Sequence, residues 1–320
     1  VIKKFLWLFI SSVCILVVYT LWQHGQEGFG RAAAYTAMRP FLPDHGMYAA
    51  CISFAIPVLF VFAIYGKKLG YNSFLRIVCW CLFIFLVLAV ALSFTRASWV
   101  SVAVSLLLYF VLLFKVRFKY ILLLVSIFVC TLFINLDDIQ TNLSTNKKES
   151  DDNIENHLQS VGNVTSDPSN LERFNRWSCA IRMFEQKPIM GWGPGTYTFQ
   201  YGQFQLPHQM TIISTNAGKL GGIHSEYLRP LAESGIIGAL FYLLIILFVT
   251  HLGFKHQRVL CGIPKILSLA AFLGLITYFA HALLNNYSEF DKIAVPLYSF
   301  MAIITAIELN YKNVEEDHQE

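Results

Sequence analysis

The chain has 320 residues, 56% of them hydrophobic and only 14% charged, and the charges cluster between apolar runs of about seventeen to twenty residues. Runs of that length cross roughly 30 Å of hydrocarbon as helix, and lipid demands a backbone satisfied from within. The fold class is therefore all-α, a polytopic transmembrane helical bundle, and the net charge of +4 carries no nucleic-acid meaning.

Seven cysteines are present, six in or beside apolar spans and only Cys179 in polar sequence, so neither a disulfide framework nor a metal-ligand spacing is on offer. Val1 is not a methionine, and the first apolar run lacks a cleavage pattern, so it reads as an anchor rather than a removed leader. Eight spans are expected, at about 5–22, 47–65, 77–94, 98–114, 120–135, 236–253, 266–284 and 293–309. They divide the chain into an N-terminal transmembrane block (1–135), a loop domain (136–235) and a C-terminal transmembrane block with a tail (236–320).

Orientation follows from basic residues in short loops. With the N-terminus cytoplasmic, the inner face carries Lys3, Lys4, Lys67, Lys68, Arg76, Lys115, Arg117, Lys119, Lys255, Arg258, Lys265 and Lys312, twelve in all. The short outer loops carry four, Arg31, Arg39, Arg96 and Lys292. Both termini are then cytoplasmic and the large loop faces outward. Basic residues held outside against this bias point to an anionic ligand.

The first outer loop, about 23–46, contains Arg31 and Arg39, and Pro40 and Pro43 mark it as non-helical. It is either a plain connector or presents its arginines to a phosphate. Arg96 lies in SFTRASW, where two spans leave almost no loop between them. It either snorkels to lipid headgroups or aims a fixed guanidinium into an outward cavity.

Residues 137–168 are polar without apolar period and read as mobile loop. Order returns at Ser169-Asn170-Leu171-Glu172, which has capping-box form. Phe174, Trp177, Ile181 and Phe184 follow at helical spacing and predict a helix over 170–186, with that stripe on the membrane surface or the bundle. Arg173, Arg176 and Arg182 fall on or near the other face, either as ligand-binding groups or as a solvated basic face.

Gly191, Gly193 and Gly195 follow in GWGPGTY, which allows positive φ and close backbone approach. It is a ligand-hugging loop or a turn, and not a phosphate-binding P-loop, since no Gly-Lys-Ser/Thr follows. His224 is predicted to open a second short helix, HSEYLRPLAESG, leading into the sixth span. It is either structural or catalytic. His157 and His208 sit in less ordered sequence.

At these residues the sequence resembles the O-antigen ligase and O-antigen polymerase family of bacterial membrane glycosyltransferases. The resemblance rests on SFTRASW around Arg96, R-x-x-x-W from Arg173 to Trp177, PIMGWGPGTY from Pro188 to Tyr197, and HSEYL-x-x-LAESGIIG from His224 to Gly238. It implies a glycosyltransferase of the C-type fold in the bacterial inner membrane. Its donor would be an undecaprenyl-diphosphate-linked glycan and its acceptor a hydroxyl on the periplasmic side. The acceptor is lipid A-core for a ligase, a lipid-linked repeat unit for a polymerase, or a protein serine or threonine for an O-oligosaccharyltransferase; ligation is preferred. The family commonly has about twelve spans against eight here, so the chain is expected to be a fragment or a short variant.

The chemistry fits without a metal or a cofactor. A sugar C1 bonded to diphosphate already carries a good leaving group, and arginines stabilise its developing charge. Arg96 and Arg173 are assigned that role, with Arg176 competing with Arg173 and Arg31 in reserve. His224 takes the proton from the attacking hydroxyl, and direct attack inverts C1. The competing class is a polysaccharide or lipid transporter, against which stands the scarcity of ionisable groups within the spans.

Overall fold

The computed structural model describes residues 1–114, 168–211, 214–215 and 221–317, together with Lys119, Tyr120, Leu123, Ser126, Ile127 and Thr131. Ten α-helices are followed here, and no strand occurs among the described residues. In chain order they are α1 (Ile2–Gln26), α2 (Arg31–Ala34), α3 (His45–Tyr65), α4 (Ser73–Leu92), α5 (Arg96–Leu113), α6 (Pro168–Gln186), α7 (Tyr197–Gln200), α8 (Leu228–Val259), α9 (Gly262–His281) and α10 (Asp291–Asp317).

Seven of these described helices are long and apolar enough to cross a membrane: α1, α3, α4, α5, α8, α9, and α10 as far as Asn310. Leu8 and Ile15 of α1, Ile84 and Leu88 of α4, and Phe241 and Phe248 of α8 stay exposed, as lipid-facing side chains should. The protein is a multi-pass membrane protein. The span expected at 120–135 and the polar stretch at 137–168 fall almost entirely outside the described residues.

The chain forms two compact units. Unit 1 comprises Val1–Val116, Leu247–His281 and Tyr287–Glu320; unit 2 comprises Arg117–Ile246 and Ala282–Asn286.

Unit 1 is built around α3 and α9, the two most deeply buried spans. Each is rich in small residues where neighbours approach: a Cβ on Gly274 would meet the Phe300 ring, and Ala55, Ala270 and Ala271 are fully buried. Hydroxyls around these helices find carbonyls: Ser105 Oγ of α5 donates to Leu273 O of α9 at 2.7 Å, and Ser53 Oγ of α3 to Ala49 O at 2.7 Å. Asp44 and Asn72 begin α3 and α4 as side-chain caps, accepting from the backbone N–H of Met47 at 2.9 Å and Leu75 at 2.8 Å. Between α1 and α3 the chain is less irregular than its prolines suggest. α1 continues to Gln26 and Arg31–Ala34 form a helical turn, while Pro40 and Pro43 do lie outside helix.

Unit 2 folds around Cys179, Ala180, Met183, Tyr197, Tyr201, Phe204, Ile223 and Ala232. α6 ends at Gln186, just before Pro188, as predicted. The face buried within unit 2 is not the apolar stripe. Glu172, Asn175, Arg176, Cys179, Ala180 and Met183 are buried, whereas Phe174, Trp177, Ile181 and Phe184 are only partly so. The polar members of the inner face are satisfied by hydrogen bonds with Gln205, Thr211 and Thr215: Asn175 and Arg176 donate and Glu172 accepts, which removes the penalty for burying them. Nor is the basic face solvated: Arg182 Nε donates to Phe204 O at 2.7 Å and its Nη2 to Gln209 Oε1 at 3.0 Å.

The second short helix and the sixth span form one assigned helix, α8, broken at Gly235, whose φ of 63° and ψ of −162° are non-helical. A Cβ there would strike the Ile189 carbonyl, so only glycine lets the 188–190 backbone pass.

Candidate active site around His224

His224 does not open a helix. It precedes α8 with φ +56°, in the left-handed region that is costly for a residue with a side chain. α8 begins only at Leu228, whose N–H bonds Ser225 Oγ at 3.4 Å.

The unusual backbone of His224 is pinned at both ends. Its N–H donates to Asn286 Oδ1 at 3.0 Å, and its carbonyl accepts from Trp177 Nε1 at 3.2 Å. Its ring is hydrogen-bonded by the Asn285 side chain. Both glycines before it are required by close contacts. A Cβ on Gly221 would run into the Arg176 guanidinium, and one on Gly222 would meet Asn286 Oδ1 at 2.8 Å.

The two competing arginines have different surroundings. Arg176 is buried; its Nε donates to Glu172 Oε1 at 2.6 Å, its Nη2 to Thr215 Oγ1 at 3.0 Å and its Nη1 to Gly222 O at 3.5 Å. Its guanidinium also lies over the Tyr201 ring, 4.3 Å from the centroid. Glu172 is itself held by Thr211 Oγ1 at 2.9 Å and by Ser214 Oγ. Arg173 is partly buried, and its Nε donates to Leu284 O at 3.2 Å.

These charges set the state of His224. Burial, then the guanidiniums of Arg173 and Arg176, lower its pKa from 6.5 to about 4, against smaller opposing effects of Glu172 and the Asn285 hydrogen bond. The imidazole is therefore neutral at pH 7 and keeps a lone pair for a proton.

Gly191, Gly193 and Gly195 all have positive φ, at 65°, 106° and 74°. Their loop straps α6 to α8. Trp192 N–H donates to Ala232 O at 3.1 Å, Gly193 N–H to Glu233 O at 2.7 Å, and the Trp192 indole to Met183 O at 2.9 Å. Tyr197 N–H completes the strap on Glu233 Oε1 at 3.1 Å. Gly191 thus serves close backbone packing against Glu233, whereas a Cβ on Gly193 would meet only Thr196 Cγ2 at 3.3 Å and Gly195 has open space around its Cα.

Unit 2 therefore brings together His224, Arg173, Arg176 and the three glycines. Arg96 and Arg31 belong to unit 1. Arg96 is the first residue of α5, three residues after Ser93 closes α4, so the near-absence of a loop is real. Arg31 begins the short α2, with its Nε 3.2 Å from Tyr35 Oη.

The largest omission from the sequence reading is the segment Ala282–Asn286, which follows α9 yet belongs to unit 2. Ala282 O accepts from Glu226 N–H at 2.9 Å, Leu284 O from Arg173, and the two asparagines hold His224. The available signal was a pair of amides, Asn285-Asn286, at the polar end of an apolar run.

The fold and this cluster define a multi-pass membrane protein with a neutral histidine beside guanidiniums, outside its spanning helices. The O-antigen ligase family matches residues 81–243, just over half of the 320, and the chain belongs to that family of membrane glycosyltransferases. Neither a curated protein nor a solved structure matches. The family acts on lipid-linked glycans, and the matched stretch contains Arg96, Arg173, Arg176, the glycine loop and His224.

Proposed function

We propose that this protein transfers a glycan from an undecaprenyl-diphosphate donor to a hydroxyl of lipid A-core, as an O-antigen ligase. It would work in the bacterial inner membrane, with both termini cytoplasmic and the site on the periplasmic side. The matched family is described as O-antigen ligase, and ligation is the reading preferred here over polymerisation or protein glycosylation.

The acceptor oxygen attacks the sugar C1 as the bond from C1 to the diphosphate oxygen breaks. His224 takes the hydroxyl proton, and the undecaprenyl diphosphate leaves with the electron pair. Attack opposite the leaving group inverts C1. Arg173 carries the growing negative charge through charge-assisted hydrogen bonds. Arg176 and Glu172 hold the loop that bears His224.

The observation carrying this reading is the neutral imidazole of His224 under the field of Arg173 and Arg176. A dianionic diphosphate beside Arg173 offsets that field and raises the basicity of His224 when donor is bound. The base is thus strongest in the complex that needs it.

The test uses the purified full chain, an undecaprenyl-diphosphate glycan and lipid A-core, with chelator present. Transfer with inverted product, lost in His224→Ala while donor binding persists, is expected. A fully active His224→Ala variant, or no transfer to lipid A-core, overturns the proposal.

A further inference from the structure

We propose that Asn285 is the positioning residue of His224: its amide oxygen accepts from one ring nitrogen, which fixes the tautomer and leaves the other nitrogen to receive the proton. The inference rests on the reading of His224 as the base, and it adds the residue that aims it.

The geometry leaves His224 few freedoms. Its backbone is clamped by Asn286 Oδ1 and the Trp177 indole at φ +56°, so only rotation of the side chain can misdirect the ring. Asn285 supplies the side-chain hydrogen bond to that ring and is itself 5% exposed. In the proposed pairing the ring N–H donates and the amide oxygen accepts. Asn285 is anchored by its neighbours in turn. Ala282 O and Leu284 O on one side, and the Asn286 side chain on the other, bond Glu226, Arg173 and His224.

An amide suits this position better than a carboxylate would. The charged groups acting on the ring are Arg173, Arg176 and Glu172, all on α6. A carboxylate at 285 would pair with the imidazolium and raise the basicity of the resting ring. A neutral acceptor orients the ring and leaves it unprotonated.

Two readouts on the full chain in lipid nanodiscs test this. The first is independent of activity: ¹⁵N-histidine NMR, with the His224 signal identified by its loss in His224→Gln. One pinned tautomer is expected in the parent protein and in Asn285→Asp, and an averaged pair of tautomers in Asn285→Leu. The second is kinetic. Asn285→Leu should lower kcat at least about 30-fold, with donor KM within about threefold. Asn285→Asp should recover at least about tenfold of that loss and move the acid limb of the pH profile upward by about one unit.

A single tautomer persisting in folded Asn285→Leu overturns the proposal, as does an acid limb unmoved in Asn285→Asp. Should the parent protein transfer no glycan, the proposed function fails, while the NMR result still decides whether Asn285 orients His224.

Discussion

Glu172 and Arg176 meet one helical turn apart on the buried face of α6, with Oε1 and Nε 2.6 Å from each other. The pair consumes the charge of Arg176 within the protein. What remains of that guanidinium holds Gly222, two residues from His224.

Replacing Glu172 with Gln is therefore expected to destabilise unit 2 rather than to act on chemistry alone. Removing one partner of a buried ion pair strands the other, at about 3–5 kcal/mol. Thr211 and Ser214 lose a charged acceptor at the same time. A fall in the thermal midpoint of the purified protein, with transfer lost in proportion to folded fraction, is the expected result. An unchanged midpoint would show the pair to be dispensable.

The two arginines should separate by the same logic. Arg176→Lys forfeits the bond to Thr215, the contact with Gly222 and the stack on Tyr201, so it should lower the melting temperature. Arg173→Lys should melt close to the parent but lose at least about tenfold in kcat/KM, as a bidentate contact to the diphosphate is removed. Inorganic pyrophosphate should inhibit the parent more strongly than Arg173→Lys. Equal inhibition of both would argue against Arg173 as a diphosphate ligand.

The pH dependence follows from the depressed pKa of His224. In the free protein the ring protonates only near pH 4, so the acid limb of kcat/KM should fall there. With donor bound, the limb of kcat should lie higher, moved toward 6.5. For stability the sign is fixed by proton uptake. Between 6.5 and about 4 the unfolded chain binds a proton at His224 and the folded chain does not. The contribution of His224 to stability is thus complete above pH 6.5 and is lost as pH falls to about 4. Comparing melting curves of the parent and His224→Gln across that window measures it; parallel curves would contradict the shift.

A control lies in unit 1. Glu308 pairs with Lys255 Nζ at 2.6 Å and His256 Nε2 at 3.0 Å, while His256 Nδ1 lies 2.8 Å from Ser268 Oγ. This cluster ties α8, α9 and α10 together through polar groups largely removed from water. Glu308→Gln should cost about 1.5–3 kcal/mol of stability. Transfer per folded molecule should not change. Loss of turnover without loss of stability would give the cluster a part in the reaction.

The segments that were legible in the sequence are those governed by local rules. Apolar length and lipid's demand for internal hydrogen bonds fix the spans, as in α3 and α5. Pro188 stops α6, and three glycines permit the positive φ values of the 191–195 loop. Arg173 and His224 could be singled out because charge and imidazole stand out in an ordered, polar stretch.

What tertiary structure alone decided is which polar groups become partners. No local pattern says that Glu172 will be buried, because its burial is acceptable only once Arg176, Thr211 and Ser214 surround it. Periodicity counts apolar side chains and so could not show that a largely polar face of α6 is buried within unit 2. Likewise Asn285 and Asn286 lie some sixty residues from His224 in the chain, and nothing but the fold could bring an amide oxygen to that ring. Burial is legible from sequence where it depends on one residue's own hydrophobicity, and hidden where it depends on partners remote in the chain.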